Sequence, residues 1–249
     1  SLWRSPITAD VTPPAGQDTN HRFAALRVEA LTRSGLLADA GAALARMPVG
    51  ADAGQGGDAL VALLTARNEI ALGRRDTACE AIRSAPQAAS IPPALKADAI
   101  LISGYSAVSG GNTAAAGLTA DLAREHGITS SAGLTALDAI ASGIKPDLRE
   151  VKSVTSLDYR LILLAGGGDP ATIVAKGTPA VVAGLALDPA ADPELRVLAG
   201  EAALRLNAIS AAELAALYRM LPAADDSGAL LTSGGSPEGG SGHLRRAAL

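Results

Sequence analysis

Residues 35–48 read GLLADAGAALARMP and residues 73–86 read GRRDTACEAIRSAP, a glycine-to-proline frame that returns after 38 residues. Gly111 follows Gly73 at the same distance and opens GNTAAAGLTADLAR over residues 111–124. Internal periods of this length mark stacked helical repeats. Five residues beyond each glycine stands an alanine (Ala40, Ala78, Ala116), and nine beyond stand Leu44, Ile82 and Ala120. Positions one turn apart share a helix face, so the alanine admits a neighbouring helix and the next residue fills the groove. Ahead of Gly35, Phe23, Leu26, Ala30 and Leu31 fall on one helical face, and Leu36 to Met47 returns as far as Pro48. Each unit is therefore a helix, a tight turn at glycine, and a second helix. In the second unit the first helix spans about Asp58 to Leu72, and in the third the turn falls between Tyr105 and Asn112.

The turn glycine, the small alanine and the larger residue after it resemble the second half of a tetratricopeptide repeat (TPR). The period is longer than the usual one of about 34, and the Trp, Leu-Gly and Tyr of that repeat's first helix are missing. Composition agrees with helices packed on helices. Hydrophobic residues make up 48% of the chain but aromatics only 2%, so the apolar content is mainly Ala, Leu, Val and Ile. Ala and Leu are strong helix formers; a sandwich or barrel draws on more aromatic and β-branched residues. The expected fold is all-α: stacked helical hairpins, a TPR-like α-solenoid with a right-handed superhelix.

Four regions follow. Residues 1–18, with Pro6, Pro13, Pro14 and Gly16, read as an irregular arm. Residues 19–127 hold the three TPR-like hairpins. Residues 128–222 hold further short helices that continue the stack. Ser130 or Ser131 caps the first of these, and Asp147 and Ser156 are N-cap candidates for the next two, the earlier running to Ser153. Asp169-Pro170, Thr178-Pro179 and Asp192-Pro193 each place a cap before a proline at the first helical position. Ser210 with Glu213 forms a capping box. Residues 223–249 read as a flexible Gly/Ser-rich linker and tail.

The segments Ala66–Pro86, Leu148–Gly167 and Leu195–Pro222 are also similar to a family of large Ala-rich alphaproteobacterial proteins of unknown function. Its members are often labelled as related to antifreeze glycopeptides. The likeness lies in patterns such as Glu201-Ala-Ala-Leu and Ala211-Ala-Glu-Leu-Ala-Ala-Leu-Tyr218. It implies an exported or envelope-associated helical-repeat protein, periplasmic in the simplest case, and a longer chain; it supplies no functional residues. The start at Ser1, without methionine or signal-peptide core, reads as a processed protein or an excised fragment.

Chemistry-bearing motifs are scarce. His21, His126 and His243 stand far apart, and His126 suits a helix C-terminus. Cys79 aligns with Gly41 and Gly117 and reads as a small packing residue. Gly166–Gly168 lacks the Lys-Ser/Thr of a phosphate loop and reads as an interhelical turn. No Glu is followed by Ser, the pair a lytic transglycosylase would show. Thr8 and Thr19 have the 11-residue spacing of Ala-rich ice binders, but Pro13 and Pro14 lie between them. The net charge of −4 is mild and forms no basic stripe, against a nucleic-acid partner. No apolar run is long enough to insert into a membrane.

No catalytic, cofactor-binding or metal residue is expected, and no cofactor. The expected function is a non-catalytic module for protein interaction or scaffolding, with a protein or peptide partner. Its partner-binding face is expected around Arg27, Arg67, Asn68, Lys96 and Tyr105 on the first helices. Arg67, Arg74, Arg75, Arg83 and Arg124 could line a binding groove but read more simply as outer-face solvation, while Tyr105 and Tyr159 suit either contact or core. The alternative is the superhelical accessory domain of a cell-wall glycan enzyme.

Overall fold

The computed structural model describes residues 8–9, 22–47, 54–83, 91, 93–128 and 131–221. The expected arm (apart from residues 8 and 9), the closing Pro48 and Pro86, Ser130 and the 223–249 linker lie outside the described residues. Among the described residues there are twelve helices and no strand, so the chain is all-α. A parallel bridge joins Val154 and Gly177.

The three hairpins are α1 (Arg22–Arg33) with α2 (Leu37–Leu44), α3 (Gly54–Ala71) with α4 (Arg75–Arg83), and α5 (Pro93–Ser109) with α6 (Ala115–Glu125). Their turns share one hydrogen-bond pattern. Leu36 N donates to Leu31 O and Gly35 N to Thr32 O; Arg74 N to Glu69 O and Gly73 N to Ile70 O; Asn112 N to Ala107 O and Gly111 N to Val108 O. Each is a helix end closed by a left-handed residue. Gly35 and Gly73 adopt φ of +76° and +78°, which a side chain would resist. The repeating alanines do what their spacing requires: Ala40, Ala78 and Ala116 are all fully buried. Each second helix packs on the next first helix, and α1, α3 and α5 also meet in sequence.

The remaining helices are α7 (Ala132–Ser142), α8 (Ser156–Leu164), α9 (Pro170–Lys176), α10 (Pro179–Leu187), α11 (Pro193–Arg205) and α12 (Ala211–Met220). Ser131, Asp169, Asp192 and Ser210 cap α7, α9, α11 and α12 through their side chains. Four expectations are corrected. Leu26 lies off the packed face of α1, 69% exposed, and Thr178 precedes Pro179 without a side-chain cap. No helix covers 147–153, because Asp147 accepts from Arg149 N, two residues on, and turns the chain instead. Thr155, not Ser156, caps α8, in a capping box with Asp158.

These later helices pack back on the hairpins as well as on one another. α8 rests against α3 and α5, while α10 touches α1, α2, α3 and α8. The contact is close because it lacks side chains: a Cβ on Gly184 of α10 would lie 2.1 Å from the Ala71 carbonyl oxygen at the end of α3. A Cβ on Gly35 would lie 2.7 Å from the carbonyl oxygen of Pro179. Ala180, Val181, Val182, Ala183, Leu185 and Ala186 are all buried, so α10 is apolar around its circumference and sits inside the fold. Among the described residues no helix is long and apolar enough to cross a membrane.

Charge locks the same junction. Arg160 of α8 pairs with Asp188, just after α10, at 2.9 Å, with both side chains nearly enclosed. Arg160 Nε also donates to the Ile70 carbonyl in the last turn of α3, at 3.2 Å, and its guanidinium lies 5.1 Å from the centre of the Tyr159 ring. A cation at a helix C-terminus is favoured by the helix dipole. One side chain thus ties α3, α8 and α10 together.

Candidate functional site

The 38-residue period places Glu29 of α1 and Arg67 of α3 at equivalent points of neighbouring hairpins. The two meet. Arg67 donates a fork to Glu29 at 2.9 and 3.4 Å, and Arg33 joins from one turn along α1 at 2.7 Å. Asp98 of α5 lies 3.6 Å from the Arg67 guanidinium. A ladder of alternating charge therefore crosses three successive first helices.

The ladder edges a groove of about 550 Å³. Ile70, Leu101, Ile102 and Leu157 form its apolar part, and the chain around Thr155–Asp158 and Thr178–Ala180, where α8 and α10 begin, forms the opposite wall. Burial pushes the Asp98 carboxyl above the usual carboxylate range; Arg67 opposes this and Glu29 adds to it. Ser156 lines the groove, but its hydroxyl is enclosed, without a hydrogen-bond partner.

Asp158 stands between this groove and a wider polar cleft of about 1000 Å³, lining both. It accepts from Gly133 N at 2.7 Å, Thr155 N at 2.9 Å and Thr155 Oγ1 at 2.8 Å, so it caps α7 and α8 at once. Burial raises its carboxyl, and these hydrogen bonds partly offset that rise. The charges in the wider cleft are mostly paired with one another. Arg124 bridges Asp121 and Asp138, and the Arg149 fork holds the Asp147 carboxyl at about 2.

The residues expected to form a partner face separate into two groups. Arg67 lines the groove, and Lys96 lies partly exposed on α5, two residues before Asp98. Arg27 reaches the Thr8 carbonyl at 3.1 Å and also that of Ala9, so it holds the chain ahead of α1. Asn68 and Tyr105 do not face a partner: they are 1% and 5% exposed. Asn68 is enclosed with both amide atoms unpartnered, its Nδ2 3.3 Å from where a Cβ on Gly41 would stand. Tyr105 lies in the main core, its hydroxyl raised by burial, with Arg160 close enough to oppose the rise. Tyr159 is core as well. Cys79 is partly buried, 3.9 Å from Ser109 Oγ.

No family model, curated protein or solved structure matches the chain. The site's meaning therefore comes from its own geometry. Among the described residues no group of three or more His, Cys, Asp or Glu is placed to hold a metal ion. The groove sets apolar residues beside the fixed charges of Glu29, Arg33, Arg67 and Asp98.

Proposed function

We propose that the protein is a non-catalytic interaction or scaffolding module, and that the groove along α1, α3 and α5 takes an extended segment of a protein partner. In this reading α1–α6 form a TPR-like solenoid of right-handed superhelical sense, with α8 and α10 narrowing its inner face to a channel. The observation that carries the reading is the groove itself: a cleft beside successive hairpins, rimmed by the Glu29–Arg67–Asp98 ladder. Stacked helical repeats commonly bind through such extended surfaces. The likeness to Ala-rich alphaproteobacterial proteins favours an envelope or periplasmic setting.

Selection of a random phage-displayed peptide library on the intact chain tests this. Thr32 lines the groove and is only partly buried, so Thr32→Arg blocks it without touching the core. Enriched peptides should bind that variant at least about tenfold more weakly, a loss of about 1.4 kcal/mol, with the melting temperature unchanged. No enrichment, or binding indifferent to Thr32→Arg, overturns the proposal. Co-sedimentation with purified peptidoglycan in place of peptide binding would favour the accessory-domain alternative.

A further inference from the structure

Among the groove's ionisable groups, Asp98 is the least well served. Its nearest cation, Arg67, stands 3.6 Å away, beyond hydrogen-bond length, and already directs its fork at Glu29. No hydrogen bond reaches the Asp98 carboxylate from the described residues, yet that side chain is 40% exposed on the groove side of the ladder. The charge balance points the same way. Glu29, Asp98 and Asp158 line the groove against Arg33 and Arg67, three carboxylates to two guanidiniums. Asp98, Leu101 and Ile102 lie at positions i, i+3 and i+4 of α5, on one helix face. Leu101 and Ile102 are 5% and 1% exposed, so of the three only the Asp98 carboxylate is open to the groove. A lysine or arginine head matches such a carboxylate, because a charge-assisted hydrogen bond is stronger than a neutral one.

We propose that the groove selects partner segments carrying a lysine or arginine, whose charged head pairs with Asp98. This deepens the peptide-binding reading and rests on it. The raised Asp98 carboxyl is consistent with a charge whose present surroundings compensate it poorly. An acidic segment would add charge to a lining that already has an excess of carboxylates.

The peptides enriched on the intact chain provide the test. They should share a Lys or Arg at a fixed position, and a synthetic peptide with Gln there should bind about tenfold or more weakly, the effect of losing a charge-assisted hydrogen bond. Asp98→Asn should weaken the Lys peptide by a similar factor and leave the Gln peptide unchanged, with the melting temperature of the variant retained. In the swapped pair, Asp98→Lys should prefer a Glu peptide. Enriched peptides with no basic position, or a Lys peptide that binds Asp98→Asn as well as the unaltered chain, overturn the choice of ligand and leave the peptide-binding reading standing. If no peptide is enriched, both fall.

Discussion

Replacing Asp188 with alanine should destabilise the protein by about 3–5 kcal/mol, because it strands the Arg160 guanidinium in an enclosed site. The pair is 2.9 Å long, and its side chains are 12% and 9% exposed, so water cannot take the place of the missing carboxylate. Arg160 also closes the last turn of α3 through the Ile70 carbonyl, and Asp188 Oδ1 accepts from Ala190 N. Both local contacts loosen with the pair. Urea unfolding of the single variants and of the double variant Arg160→Met/Asp188→Leu distinguishes charge stranding from simple loss of contact. The double variant should recover most of the loss, since a buried ion pair replaced by apolar groups is often near neutral. A double variant as unstable as the worse single one would show that the pair acts through geometry rather than charge.

Gly184→Ala should cost about 3 kcal/mol, the upper part of the range for overpacking a close contact. The added Cβ would stand 2.1 Å from the Ala71 carbonyl oxygen and 3.1 Å from its carbon, both backbone atoms of α3 that no rotamer change can move. In an isolated helix the same substitution stabilises by about 1 kcal/mol. The sign of the measured change therefore reports whether α10 lies on α3. Guanidinium unfolding gives it directly, and a stabilised variant would mean that the contact does not form.

The hairpins could be read from the sequence because their signals are local and repeated. A turn glycine and an alanine five residues later state a helix end and a contact, and the structure buries Ala40, Ala78 and Ala116 completely. The caps at Asp169, Asp192 and Ser210 were equally legible, since each acts within three residues of itself. Asp147 offered the same signal and made a turn, because its carboxylate found the nearer Arg149. The return of α8 and α10 was not legible. It depends on Arg160 reaching Ile70, ninety residues away, and on Gly184 meeting Ala71, pairings that no short-range pattern encodes.

The site was half visible. Arg67 was expected on the partner face, but its partner Glu29 went unread, although the 38-residue period places the two at matching positions. Applying the repeat to charges as well as to glycines and alanines would have found that rung. Asn68 and Tyr105 were misplaced for a different reason. Their burial depends on which flank of a first helix its neighbours cover: Gly41 leaves room beside Asn68, and α8 lies against the helix that carries Tyr105.

α10 is an internal element that touches α1, α2 and α3 of the hairpins. Hydrogen exchange of the intact, unmodified chain tests this most directly. Amides of residues 181–187 should open with the same free energy as those of residues 60–71, within about 1 kcal/mol, as members of one cooperative unit. Exchange of 181–187 at the rate of an open chain, while 60–71 stay protected, would show that α10 is no part of that unit.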